Sequence, residues 1–354
     1  MKKLLIINKQ QFGYLTDVLK WTETLRHDYQ VTVVCFNVGH KQVVVDNVNV
    51  VYVPYTRYYI INAILFYLYS MFTILRNELI IVEYFQGCEY LKRLFRNKRM
   101  LLDVRTLSVT SENDTRLRYN AQLVKECKWF NLISVISQGV REQISDLTTP
   151  IFIMPLGADQ ISERCKTYES LSLLYVGTLS GRDIHKTILG YKHFIDLYPQ
   201  TNINYHIVGD ANTAAEFQSV RKLVEELGLE NNVILHGRIT YSELKPYFDN
   251  CNVGISFVPI TSYYDSQPVT KTFEYAMSGL ITIGTSTKEN CKIINDYNGV
   301  LINDDSDAFT NALVYIYNNR NKYRDYQIRQ TVADYEWTGL VRNYLIPILK
   351  ELEA

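Results

Sequence analysis

Two patterns alternate along the chain: short runs of consecutive apolar residues, and longer stretches where apolar residues recur every three or four positions. Residues 4–7 and 31–36 are continuous apolar runs, as expected of strands covered on both faces. Between them, residues 15–26 carry Leu15, Val18, Leu19, Thr22 and Leu25 at helical spacing, after a turn at 8–14 containing Gly13. Further strands are predicted at 48–53, 79–83, 100–104, 132–136 and 150–154. A polar stretch at 160–170 follows the turn 155–159 and reads as a linker. Beyond it, runs at 173–176, 205–208 and 233–236 each end in a glycine (Gly177, Gly209, Gly237), and runs at 253–257 and 280–283 continue the series. Apolar strands closed by glycine and followed by helices predict a second parallel sheet, with ligands expected beyond the carboxyl ends of its strands. Thr240 and Glu243 have the spacing of a capping box for a helix at Ser242, and residues 337–352 predict an apolar tail helix.

The longest apolar run, residues 60–75, falls short of the roughly 20 residues a membrane span needs, and Asn62 and Ser70 interrupt it. It is expected to be a buried helix. The alternative is an interfacial helix with Arg57 and Arg76 near lipid headgroups.

A chain of 354 residues is too long for one average core, so an N-terminal domain at 1–160 and a C-terminal one at 171–339 are expected, with a helix at about 340–354 returning to the first. Lys+Arg and Asp+Glu both number 37, a balance without the electrostatic footprint of nucleic-acid binding. The six cysteines show no CxxC pairing, which suggests reduced thiols, a cytoplasmic protein, and neither a zinc site nor a disulfide scaffold. The N-terminal apolar run breaks too early for a signal peptide and reads as a first strand. No histidine belongs to a cluster with metal-ligand spacing, and no metal is expected.

The stretch with the most chemistry is 266–279, SQPVTKTFEYAMSG. Pro268 fits the first position of a helix that Gly279 closes, with Val269, Phe273 and Ala276 as its buried stripe. Thr270, Lys271 and Glu274 share the other face. Free N–H groups at a helix start attract phosphate, and the lysine adds a full charge. A carboxylate one turn deeper can accept two hydrogen bonds from the vicinal hydroxyls of a ribose. An ordinary amphipathic helix with a solvated Lys/Glu pair has the same spacing, and both readings stay open on these residues alone.

With Val-Gly-Thr-Leu-Ser at 176–180, Ile-Val-Gly-Asp at 207–210, His-Gly-Arg-Ile at 236–239 and Pro-Val-Thr-Lys-Thr-Phe-Glu-Tyr at 268–275 assembled, the chain resembles the family 4 glycosyltransferases. The resemblance implies the GT-B architecture: two Rossmann-like doubly wound parallel-sheet α/β domains facing across a cleft, the first for acceptor and the second for donor. It implies retaining transfer of a sugar from a nucleoside-diphosphate sugar to a saccharide or lipid-linked glycan hydroxyl, without a metal and with no cofactor beyond the donor, in surface polysaccharide or glycan assembly. Glu274 matches the acid that holds the donor ribose, Arg238 and Ile239 the edge where the base is read, and Gly177 and Gly209 the strand-end turns. Lys271 and the amides of Val269 and Thr270 would face the diphosphate. Thr178 stands where the family has an arginine, so Arg182 and Lys186 are the expected substitutes. Ser266 stands where the family often has the first acid of its E-x7-E element, of which Glu274 is the second, and Arg105 stands where members often place a histidine, fit to bind a phosphate or sugar oxygen but not to act as a base. The resemblance leaves open an inactive partner subunit, a nucleotide-sugar epimerase, and a peripheral contact with the inner face of a membrane.

Overall fold

A computed structural model describes residues 1–353. They form two units: residues 1–157 with the C-terminal segment from Trp337 onward, and residues 158–336.

The first unit holds strands β1 (Lys2–Ile7), β2 (Tyr29–Asn37), β3 (Val48–Pro54), β4 (Leu79–Glu83), β5 (Arg99–Val104), β6 (Leu132–Val135) and β7 (Ile151–Ile153). Helices α1 (Thr16–Leu25), α2 (Tyr59–Leu75), α3 (Glu89–Leu94), α4 (Asn113–Cys127) and α5 (Gln138–Gln143) connect them. The strands form one parallel sheet in the order β3-β2-β1-β4-β5-β6-β7. Leu4–Ile7 are fully buried because helices cover both faces, which is why these strands are apolar throughout rather than alternating. The order reverses between β1 and β4, so the ends of these strands flank a topological switch point.

The second unit holds β8 (Ser172–Val176), β9 (Asn204–Val208), β10 (Val233–Gly237), β11 (Val253–Ser256), β12 (Ile281–Thr285) and β13 (Gly299–Ile302). Its helices are α6 (Ile184–Leu197), α7 (Ala214–Glu226), α8 (Lys245–Asn250), α9 (Thr270–Met277), α10 (Asn290–Ile293), α11 (Ser306–Asn319) and α12 (Asp325–Gln330). The parallel order is β10-β9-β8-β11-β12-β13, with its own switch point between β8 and β11. Two doubly wound parallel sheets of this kind are the GT-B fold.

Four expectations need correction. Residues 160–170 are not a linker: the Ile161 and Ser162 amides donate to Ser278 Oγ at 3.1 and 3.2 Å, and Lys166 is buried with its Nζ donating to the carbonyls of Phe248 and Asp249. This polar segment is held by hydrogen bonds that its composition did not reveal, so the second unit begins at residue 158 rather than 171. That unit ends at residue 336 rather than 339, where the indole of Trp337 packs against Gly157 so closely that a Cβ there would meet it at 2.4 Å. The tail then forms α13 (Trp337–Leu340), a π-helical turn and α14 (Ile346–Glu353) against α1, β4 and β5. The predicted helix at Ser242 is a 3-10 turn, Tyr241–Glu243, with the capping box present, and α8 follows it. Finally, α2 is not a buried helix. Only Asn62, Phe66, Ser70 and Ile74 are buried, and most of its large apolar side chains face solvent.

Candidate active site

The turns at the carboxyl ends of β8, β9 and β10 are drawn together by the backbone. The Gly177 amide donates to Val208 O at 3.0 Å and the Gly209 amide to Gly237 O at 2.8 Å. At Gly209, φ is 156° and a Cβ would lie 1.8 Å from Gly177 O, so only glycine permits this approach. The result is a cavity of ≈ 340 Å³ lined by Gly177, Thr178, Gly209, Asp210, Arg238 and Ile239 among others. Four residues singled out from the sequence therefore border one space.

Helix α9 starts nearby, at Thr270 rather than at Pro268. Val269 is its N-cap, with extended backbone and an apolar side chain that makes no cap hydrogen bond, the kind of helix start at which N–H groups can meet an anion. From Thr272 to Met277 every residue is buried, because α9 packs under β11 and β12 as well as lining the site. Tyr275 ties helix and sheet together: its hydroxyl accepts a hydrogen bond from the Val176 amide at 2.8 Å, and its ring fills the space beside Gly254. A period-based reading could not assign this contact, since Tyr275 looks like one more apolar position.

The polar face of α9 is not the solvated stripe of an ordinary amphipathic helix, one of the two readings the spacing left open. Glu274 is only 1% exposed, yet it does not point into the apolar core. It pairs with the Lys271 ammonium, and its Oε1 accepts from the Tyr241 hydroxyl at 3.2 Å. Tyr241 also reaches Asp159 Oδ2 at 3.1 Å, and Lys271 Nζ lies 5.2 Å from the centre of its ring. Burial pushes the Glu274 carboxyl up, opposed by Lys271 and the Tyr241 hydroxyl, while burial and the carboxylates of Glu274 and Asp159 push the Tyr241 phenol up. Tyr241 thus caps the carboxylate expected to hold a ribose. It was missed in the sequence because it is far from Glu274 along the chain, although its position two residues after Ile239 was a usable signal.

The remaining predicted residues are less concentrated. The Arg182 guanidinium stacks 4.5 Å over the Tyr264 ring, and Lys186 pairs with Asp183 at 3.0 Å, so neither is an uncommitted cation. Ser266 is buried in the turn before α9. In the first unit Arg105 is committed at two of its three nitrogens, and its buried Nη2 has no hydrogen-bond partner. Its Nε holds Asp17 Oδ2 at 2.5 Å and its Nη1 donates to Met154 O at 2.8 Å, because residue 105 lies beneath α1.

Arg105 belongs to an acidic cluster that the sequence did not suggest. Glu83 and Asp103 are register partners at the ends of β4 and β5, and Asp103 Oδ2 lies 3.8 Å from Arg105 Nε. Burial raises Glu83 to about 8, helped by Asp103 and Asp17 and opposed by Arg105; burial raises Asp103 to about 6. With three carboxyls around one guanidinium, a proton is retained near neutral pH. His206 and His236, on neighbouring strands β9 and β10, bond to each other at 2.9 Å. Among the described residues no group of three or more His, Cys, Asp or Glu could hold a metal ion, and no helix is long and apolar enough to cross a membrane.

Residues 170–319 match the family model described as "Glycosyl transferases group 1". No curated protein matches the sequence significantly. Among solved structures, the chain is similar to sucrose-phosphate synthase from Thermosynechococcus elongatus, at TM-score 0.75 and 15% identity over 99% of both chains. It is also similar to HepE from Anabaena, in complex with UDP and glucose, at TM-score 0.77 and 13% identity over 99% of this chain and 100% of that one. A third is WaaG, a glycosyltransferase involved in lipopolysaccharide biosynthesis, at TM-score 0.70 and 13% identity over 96% and 98%.

Proposed function

We propose that this chain is a glycosyltransferase that moves a sugar from a nucleoside-diphosphate sugar to a saccharide or lipid-linked glycan hydroxyl, with retention at the anomeric carbon. The observation that carries the reading is the grouping of the Gly177/Gly209 turns and Arg238–Ile239 around one cavity within the matched segment, with α9 following β11 of the same parallel sheet. The family match and the neighbouring HepE complexes with UDP support it.

In this reading the base lies against Arg238 and Ile239, the ribose hydroxyls reach Glu274, and the diphosphate meets the amides of Val269 and Thr270. Cleaving the sugar–phosphate bond builds negative charge on the leaving phosphate, so the nearest mobile cation is the largest catalytic term. That cation is Lys271. Ribose hydroxyls arriving at Glu274 would take over its hydrogen bonds and release the ammonium toward phosphate. Arg182, once freed from the Tyr264 ring, would add a second charge. Lysine and arginine would supply this stabilisation in place of a metal ion, and turnover should then survive chelation. The leaving phosphate would accept the proton of the incoming hydroxyl on the same face, since no carboxylate stands at Ser266 to act as nucleophile.

The test is a thermal-shift panel of UDP, GDP, ADP and their monophosphates on the wild-type chain and on Glu274→Gln. A diphosphate that raises the melting temperature of the wild type, and less so of the variant, supports the site. No shift with any diphosphate would overturn it. A shift without release of free sugar from the corresponding donor would favour the inactive partner subunit, for which the commitment of Arg105 and the serine at 266 speak.

A further inference from the structure

Helix α2 presents a large apolar surface that the packing of the first unit leaves open. Ile60, Phe72 and Leu75 are 72%, 66% and 62% exposed, and Ile64 and Leu68 lie between them on the same face. Four residues spaced one turn apart (Asn62, Phe66, Ser70, Ile74) are buried on the opposite face, so the exposed stripe is a consequence of how the helix is seated. Exposing so much contiguous apolar surface is unfavourable unless something covers it.

The charges around the helix indicate what does. Residues 58–75 contain no charged side chain; Arg57 precedes them and Arg76 follows. Helix α3 packs alongside, with the Tyr67 hydroxyl of α2 donating to Gly87 O at 2.7 Å just before α3 begins. From α3 onward, residues 92–99 carry five cations and no acid. Lys98 reaches back to Asn77 O at 2.7 Å beyond the end of α2, while Arg93 and Arg96 stay exposed beside the exposed Tyr90 and Leu94. The acids nearby are Glu78 and Glu89, and Glu89 lies 3.6 Å from Arg93.

We propose that α2 and the adjoining basic segment dock on an anionic lipid bilayer, with Ile60, Ile64, Leu68, Phe72 and Leu75 in the acyl boundary. Arg57, Arg76, Arg93 and Arg96 then lie at the level of the lipid phosphates. An uncharged apolar stripe rimmed by guanidinium groups fits such a surface. A second copy of the chain fits it poorly, because face-to-face pairing would bring the arginines of both copies together.

The experiment is co-sedimentation of the full chain with vesicles of 70:30 phosphatidylcholine:phosphatidylglycerol and with vesicles of phosphatidylcholine alone. The wild type should bind the anionic vesicles at least about fivefold more, and high salt should weaken that binding. Ile60→Ser/Phe72→Ser and Arg57→Ala/Arg76→Ala should each lower the bound fraction about fivefold or more while leaving the thermal melt unchanged, since all four side chains are on the surface. Failure of the wild type to bind anionic vesicles, or wild-type binding by both variants, would overturn the proposal. So would a dimer detected by light scattering that Ile60→Ser/Phe72→Ser dissociates, in a chain that ignores vesicles. None of these readings depends on whether the second unit binds a nucleotide.

Discussion

If Glu274 holds a ribose as proposed, the Tyr241 hydroxyl bonded to it stands in for a ribose hydroxyl, and removing it should have two opposite effects. In Tyr241→Phe the ring stays and only the oxygen is lost. That oxygen carries one proton shared between Glu274 at 3.2 Å and Asp159 at 3.1 Å, so it makes one charge-assisted hydrogen bond at a time. Both separations exceed the 2.5–2.7 Å of strong O–H···O⁻ bonds, which puts the interaction near the low end of its range, about 1.5 kcal/mol. Without ligand, the variant should lose about this much stability, a fall of roughly 3–6 °C in melting temperature for a unit of this size. With ligand the sign reverses. A nucleotide that no longer displaces a competing hydroxyl should bind up to about tenfold more tightly, because 1.4 kcal/mol is a factor of ten. Isothermal titration of the nucleoside diphosphate picked out by the thermal-shift panel, on wild type and variant, measures it directly. Equal or weaker affinity in Tyr241→Phe would refute the idea that Tyr241 stands in for the ribose.

Three further outcomes follow from the same structure. Lys271→Ala should lower turnover by roughly an order of magnitude or more with a smaller change in donor KM, since its charge acts mainly on the leaving phosphate; equal kcat in both proteins would reassign that role. Glu83 is raised in the folded chain to about 8 from an ordinary 4.5, so the native state binds the extra proton and its contribution to stability is complete below pH 4.5 and lost as pH rises through 8. Urea titrations should show wild-type stability falling across that window by up to about 1.4 kcal/mol per pH unit more than Glu83→Gln, and parallel pH profiles would contradict it. Gly209→Ala must move Gly177 O, only 1.8 Å from the new methyl, and should destabilise the second unit by about 2 kcal/mol or more in denaturant unfolding; a neutral substitution would show that the turns can separate.

Sequence alone determined the strands and their parallel kind, because strands buried on both faces must be continuously apolar and β-branched. It also marked the glycine-closed strand ends, since glycine at a strand end signals a backbone that has to come close to something. Gly177 and Gly209 were picked out that way, Arg238 and Ile239 by the family resemblance, and all four border one cavity. What it left undetermined is what each polar or apolar side chain meets. The long apolar run of α2 suggested burial, but whether a helix face is covered depends on which elements stand opposite, and Ile60 and Phe72 are left exposed. Lys271 and Glu274 were read as sharing one polar face, with a ligand site and a solvated pair both left open; Tyr241, brought in from the end of β10, closes over them. Arg105 and Asp17 meet, and Glu83 sits beside Asp103, only because β4, β5 and α1 converge at one edge. Local propensity is written in short windows of sequence; partners, burial and charge balance arise between segments distant along the chain, and only the assembled fold fixes them.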